Sequence, residues 1–350
     1  MRAWSDAATL ADDKWDRVFG KLWPRAQRHV ARVLKLPDAS TIAFAPNTHE
    51  LVMRVLSSLP VDRPMRVLTT DGEFHSFSRQ LARLEEEKRA VATRVPTEPF
   101  ATFGERFRAA EKGDFDVVYV SQVFFDSGWA LRDLDPIVSA APKDAIVIVD
   151  GYHAFCAIDV DLSRVASRAF YVAGGYKYAM SGEGCCFMHA PPGWLPRPID
   201  TGWFAAFFAL EGPRGGPVAF ADDGSRFLGA TFDPTGLYRF DAVMTWLERE
   251  GLRPADVEAH TKALQERFVA GLRAHPDLPL NESQLVVPIS ERSRGQFLAF
   301  ETAEAKQIHD RLAEDRVITD VRGDRLRFGF GLYHDLSDID AGVERIVAAL

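Results

Sequence analysis

Along the first half of the chain, short apolar runs alternate with longer stretches whose apolar positions recur every three to four residues, so strands and helices are expected in turn. Strands are expected at 42–45, 66–70, 90–95, 116–120, 145–149, 169–173 and 184–188, with helices at 48–59, 76–87, 102–111 and 135–140 between them. The runs at 145–149 and 169–173 are apolar throughout and rich in β-branched or aromatic residues, as strands buried on both faces are. Such alternation predicts an α/β fold with a mostly parallel seven-stranded sheet covered by helices. Ahead of it, 12–36 reads as helical, with Trp15, Val18, Phe19, Leu22, Trp23 and Val30 on the apolar positions and Pro37 as the stop. The stretch 191–234 is rich in Gly, Pro and aromatic residues and has no clear period, as an active-site wall of loops would. After it, helices are expected at 238–250, 254–274, 303–315 and 337–350 and strands at 285–288, 296–300, 317–320 and 325–329, with Ser337 and Asp340 as a capping box. This divides the chain into an N-terminal helical segment (1–40), a large domain (41–235), and a bridging helix with a small α+β domain (236–350).

Composition narrows the function classes. The 350 residues exceed one compact core of ordinary size, and 47% apolar with 26% charged residues describes a soluble globular protein. A net charge of -8 without a long basic run argues against nucleic-acid or anionic-membrane partners. The longest apolar run, 203–210, is far below the roughly 20 residues of a membrane span. The first residues lack a signal-peptide pattern. Cys156, Cys185 and Cys186 form neither a disulfide framework nor a metal spacing, so core thiols, no bound metal and a cytoplasmic location are expected.

The candidate chemistry sits where two strands end. Asp150 closes the run 145–149, and Lys177 follows 169–173 after Gly174, Gly175 and Tyr176. In an open α/β sheet, ligands lie beyond the carboxyl ends of the strands, so an acid and an amine are delivered to one rim. Pyridoxal 5'-phosphate requires that pair: a lysine for a Schiff base with its aldehyde, and a carboxylate that keeps its pyridine nitrogen protonated. Singly, each residue has a plainer reading, a helix cap for Asp150 and a solvated charge for Lys177. A phosphate is held most simply at a helix start, and Pro46-Asn47-Thr48-His49-Glu50 opens one after the first strand, although Asn and Thr are also ordinary caps. Arg325 and Arg327 share one face of a strand, and a guanidinium is the natural clamp for an amino acid's carboxylate.

With its surroundings the central stretch resembles a known family. Asp150-Gly151-Tyr152-His153, the segment 159–162, Gly175-Tyr176-Lys177-Tyr178 and Ser181-Gly182-Glu183-Gly184 are similar to the cofactor core of the class V aminotransferase superfamily, kynureninase-like branch. The resemblance runs from about 41 to 340. It implies a fold-type-I pyridoxal phosphate enzyme that acts on an amino acid or primary amine. Aminotransfer is the first reading, with a kynureninase-like Cβ–Cγ hydrolase or other lyase, or a non-catalytic homologue, as alternatives. By this resemblance Asn47 and Thr48 fall on the phosphate turn, Tyr176 reaches the phosphate, Phe74 stacks on the ring, and His75 and Ser76 line the pocket. Ser121 contacts the cofactor, and His153 lies at the ring beside Asp150 and Lys177 in the catalytic set. Trp203, in Gly202-Trp203-Phe204, approaches the phosphate from a second subunit, which implies a homodimer with shared sites. The later Leu332-Tyr333 selects Arg327 as the carboxylate clamp and leaves Arg325 as a solvated edge charge, a swap of the two remaining open. Asp233 stands where the branch has a substrate-side Asn, and Phe124 and Phe125 stand where relatives are more polar. No cysteine follows Cys186, whereas cysteine desulfurases carry their nucleophile in the C-terminal half.

Overall fold

A computed structural model describes residues 1–59, 61–209 and 216–350 of the chain; Leu210, at the end of the apolar run, lies outside them. The alternating half forms a seven-stranded sheet of β1 (Ile42–Ala45), β2 (Met65–Thr70), β3 (Ala90–Val95), β4 (Val117–Ser121), β5 (Ile146–Asp150), β6 (Ala169–Gly174) and β7 (Cys186–His189). Their order is β1-β7-β6-β5-β4-β2-β3. β3, β2, β4, β5 and β6 pair in parallel, and β7 runs antiparallel between β6 and β1. β4, β5 and β6 are buried at every position, in keeping with their continuous apolar runs. β4 and β5 each end one residue later than their apolar runs, so Ser121 and Asp150 belong to the ladder and pair with each other. Polar side chains that find buried partners do not end a strand.

The second sheet is antiparallel, β8 (Phe297–Glu301), β10 (Arg325–Gly329) and β9 (Asp320–Arg322) in the order β8-β10-β9. The strand expected at 285–288 is only a single bridge from Leu285 to Phe300, since Pro288 has no N–H to continue a ladder. β9 starts at Asp320 and not at 317 because Arg316, at φ 60°, closes the preceding helix and the Val317 amide is spent on Leu312 O. The last helix, Leu336–Ala349, is capped by Asp335 and Asp338, not Ser337 and Asp340; Asp340 pairs with Arg267 instead.

The helical start also differs from expectation. An additional helix covers Arg2–Leu10, and the stretch read as one helix is broken by a π turn at Val18–Leu22 before the helix Trp23–Leu34. Pro24 in the first turn of that last helix has no N–H for the preceding turn, which widens to compensate.

The chain packs as two units. The first comprises Met1–Gln122, Asp133–Phe155 and Val160–Leu252, and so includes the whole seven-stranded sheet and the helix Thr235–Arg249. The second comprises Val123–Arg132, Cys156–Asp159 and Arg253–Leu350, around a core that includes Leu264, Phe268, Leu298, Phe300, Leu326 and Phe328. Among the described residues no helix is long and apolar enough to cross a membrane, and no cluster of His, Cys, Asp and Glu could hold a metal. All three cysteines are buried and outside any disulfide.

Candidate active site

The carboxyl ends of β4, β5 and β6 form one rim of the first unit, and the polar residues gather there. Asp150, the last residue of β5, is 9% exposed. Its Oδ2 accepts from the Tyr119 hydroxyl at 2.9 Å and its Oδ1 from the Tyr152 amide at 2.9 Å. Burial raises its pKa, the two hydrogen bonds oppose that, and the Lys177 ammonium opposes it further. A carboxylate has room for more than two donors, so Asp150 retains acceptor capacity for a cationic N–H.

Lys177 arrives through a turn that glycine makes possible. A Cβ at Gly174 would sit 2.5 Å from the Tyr152 hydroxyl, and one at Gly175 would sit 2.2 Å from Ser181 Oγ. Without those side chains the chain closes tightly: the Gly175 amide donates to Cys185 O, the Ser181 amide to Gly175 O and the Met180 amide to Lys177 O. Lys177 Nζ then lies 5.2 Å from the Tyr176 ring centroid and 5.9 Å from that of Tyr152, within reach of both π faces. Tyr176 and Phe74 are 41% and 37% exposed, which leaves aromatic surface for a flat ligand. Phe74 precedes the helix His75–Glu86, and His75 and Ser76 are exposed on its first turn. His153 is buried in the turn after β5, 6.5 Å from the Tyr178 ring.

Two expected contacts are already engaged within the protein. The Ser121 hydroxyl donates to Glu73 Oε2 at 2.6 Å and its amide to Oε1 at 3.1 Å. Asn47 caps the helix Thr48–Ser57, accepting from the Glu50 amide at 2.9 Å and donating to Glu50 Oε1 at 3.0 Å. That is the plainer of its two sequence readings, and the Thr48 backbone in turn reaches the Cys186 thiol. Trp203 is 42% exposed, stacked on Phe204, and donates to Thr231 Oγ1 at 3.3 Å. Asp233 accepts from the amide and hydroxyl of Thr235, at 2.9 and 2.6 Å, and opens the next helix.

Glu73 and Gln122 were not singled out in the sequence. Glu73 is 3% exposed, accepts from Thr70 Oγ1 at 2.7 Å as well as from Ser121, and is pushed up to about 8 by burial, with the Asp150 charge adding to the effect. The Gln122 amide donates to Asp150 O at 2.8 Å, and its Oε1 accepts from the Tyr171 hydroxyl at 2.8 Å. The signal for Glu73 was its place between Thr69-Thr70 and Phe74, an acid in the turn that follows a buried strand.

The arginines belong to the second unit. Arg327 pairs with Asp320 and donates to Phe125 O, and its Nε is buried without a partner among the described residues. Arg325 is no solvated edge charge: only 15% of its side chain is exposed, and it pairs with Asp126 at 2.9 Å. The structure thus gathers Asp150, Ser121, Tyr176 and Lys177 on one rim of the first unit and keeps both arginines in ion pairs of the second.

Comparison with known proteins extends this picture. Residues 257–346 match the kynureninase C-terminal domain family. The chain is 29% identical over 232 residues to the isopenicillin N epimerase of Streptomyces clavuligerus, a match covering 62% of this chain and 54% of that protein. The chain therefore spans about half the length of that relative. Among solved structures, a cystine C-S lyase is similar with a TM-score of 0.78 and 18% identity, over 95% of this chain and 87% of that one, in complex with its product cysteine persulfide. A variant of the same lyase with glycine covalently linked to its PLP cofactor matches with the same TM-score and identity, over 96% of this chain and 87% of that one. The cysteine desulfurase of Thermococcus onnurineus NA1 follows, with a TM-score of 0.76 and 17% identity, over 92% of this chain and 82% of that one. At such identities these structures are likenesses of fold. The sheet order and these matches give the chain the fold-type-I architecture, and its sequence is similar to members of the class V aminotransferase-like superfamily.

Proposed function

We propose that the chain is a pyridoxal 5'-phosphate enzyme acting on an amino acid or other primary amine, and that it transfers the amino group. The observation that carries this reading is the buried Asp150 carboxylate, with acceptor capacity to spare, on the same rim as Lys177. The residues present fit the cofactor: an amine for the aldehyde, an acid for the pyridine nitrogen, and exposed aromatic faces beside them. Bound there, pyridoxal phosphate supplies an electron sink for the charge left at a substrate's Cα.

The protein's own residues do the rest. Asp150 holds a proton on the pyridine nitrogen by opposite charge. Phe74 would cover one face of the ring, and the helix start at Asn47 and Thr48, with the Thr48 hydroxyl, and Tyr176 would hold the phosphate. The Lys177 amine would hold the aldehyde and, freed from it, would take and return the Cα proton. His153 braces the ring beside Asp150, Arg327 orients the carboxylate, and Asp233 borders the substrate. Trp203 would reach the phosphate of a partner's site in a homodimer, and buried thiols outside any disulfide support a reducing, cytoplasmic setting. The match to the kynureninase C-terminal domain favours a second reading, Cβ–Cγ cleavage, which begins with the same proton removal.

An absorbance spectrum of the purified protein, before and after borohydride, with peptide mass mapping, tests the reading. A near-visible band that borohydride removes, with a pyridoxyl mass on Lys177, is expected, and Lys177→Ala should abolish both the adduct and turnover. Keto-acid formation from a panel of amino donors separates transfer from cleavage. Absence of any band after pyridoxal phosphate is added would reject the assignment.

A further inference from the structure

Beneath the rim, the mechanism leaves one buried acid unused. Glu73 lies in the turn between β2 and the helix His75–Glu86, and donors reach it from two strand ends, Thr70 of β2 and Ser121 of β4. Ser121 is in turn the ladder partner of Asp150 on β5. The ionisable groups around Glu73 are Asp150 on β5, whose charge opposes its ionisation, and Tyr119 on β4, whose hydroxyl donates to Asp150; His75 follows two residues along the same turn. Two carboxylates that feel each other's charge in a buried site do not both ionise readily. One of them keeps a proton, and the hydrogen bonds say which.

Glu73 Oε1 already accepts from the Thr70 hydroxyl and the Ser121 amide, so its only free capacity to carry a proton is at Oε2, which faces the Ser121 hydroxyl at 2.6 Å. Asp150 instead accepts at both oxygens, from the Tyr119 hydroxyl and the Tyr152 amide, and is the carboxylate nearer the Lys177 charge. We propose that Glu73 is a positioning residue of the site: it holds a proton at Oε2, so that the buried negative charge falls on Asp150 and Ser121 is turned from a donor to Glu73 into a donor to the bound ring. With the proton on Oε2, the Glu73–Ser121 hydrogen bond runs from Glu73 to Ser121 Oγ, and the serine's own hydrogen is released toward the site. When Glu73 loses that proton, Ser121 must donate back to it, and a second negative charge appears beside Asp150. This inference rests on the pyridoxal phosphate reading only for what Ser121 and Asp150 then do to the ring; the proton on Glu73 does not depend on it.

The test therefore has two arms. In difference infrared spectra of the protein stripped of cofactor, a protonated-carboxyl band is expected at pH 6, lost in Glu73→Gln, and titrating away in the wild type with a midpoint near 8. In protein loaded with pyridoxal phosphate, Glu73→Gln, a neutral isostere, should keep cofactor affinity within about twofold and show a near-visible spectrum that no longer shifts between pH 7 and 9. Glu73→Ala, which strands the Thr70 and Ser121 donors, should weaken cofactor binding about tenfold. No protonated band assignable to Glu73 at pH 6, or a Glu73→Gln spectrum that shifts with pH as the wild type does, would overturn the proposal. Failure to load pyridoxal phosphate would reject the functional reading, and the infrared arm would still decide Glu73.

Discussion

Burial without a partner gives Glu111 the opposite economy from the acids of the site. It follows the helix Phe100–Ala110, is 1% exposed, and neither carboxylate oxygen has a hydrogen-bond partner among the described residues. Burial pushes its pKa up to about 8, with Arg108 opposing only in part. The native state therefore holds this proton up to about pH 8, while the unfolded chain releases it near 4.5. Across that window the native state binds more protons than the unfolded state, so this residue's contribution to stability falls as pH rises, and is worst above 8. Glu111→Gln should be near neutral at pH 4 and more stable than the wild type by about 1–3 kcal/mol at pH 8.5, read by urea melts at both pH values. Parallel melts at both pH values would mean that water or a shifted backbone already serves the carboxylate. Glu73, raised by the same cause, adds a slope of the same sign, which a Glu73→Gln control separates.

Helix Thr235–Arg249 decides the shape of the lysine turn. Its Gly236 lies against the turn that follows Lys177: a Cβ there would sit 2.4 Å from Gly184 O and 2.5 Å from Gly184 C, both backbone atoms that no side-chain rotation can move. Arg239, one turn along, donates to Ser181 O at 3.1 Å and to Glu183 O. The helix thus holds 181–184 from one side while β7 holds it from the other. Gly236→Ala should cost about 1–3 kcal/mol of stability through overpacking and loosen pyridoxal phosphate retention as Lys177 loses its fixed approach. Unchanged melting and retention would show that the turn is held by β7 alone. The periodicity places this helix within three residues of its true start and reads it as a bridge to the smaller domain; its hydrogen bonds to 181–184 span 56 and 58 residues of chain, where no local pattern reports them.

At the scale of the whole molecule, the prediction concerns assembly. Trp203 and Phe207 are exposed at 42% and 36%, beside the aromatic cluster of Trp15, Phe19, Phe204 and Phe232. If Trp203 serves a partner's site, the protein is a homodimer in solution, and Trp203→Ala lowers cofactor affinity without changing the monomer's fold. Light scattering at micromolar concentration checks the first, and pyridoxal phosphate titration the second. A monomer that retains full cofactor affinity would remove the shared site from the reading.

Most of the architecture was legible because it is written in local patterns: continuous apolar runs for β4 to β6, helical periods between them, and Asp150 and Lys177 at the strand ends where an open parallel sheet delivers its ligands. What the sequence by itself determined was therefore the fold class, the sheet's membership and the rim. Only the tertiary structure decided which hydrogen bonds those residues make. That Ser121 answers to Glu73, that Asn47 caps its own helix and that Arg325 is paired with Asp126 depend on groups brought together from distant positions. A buried polar group must find whatever partner the packing supplies, and that choice is made between strands and helices, not along them.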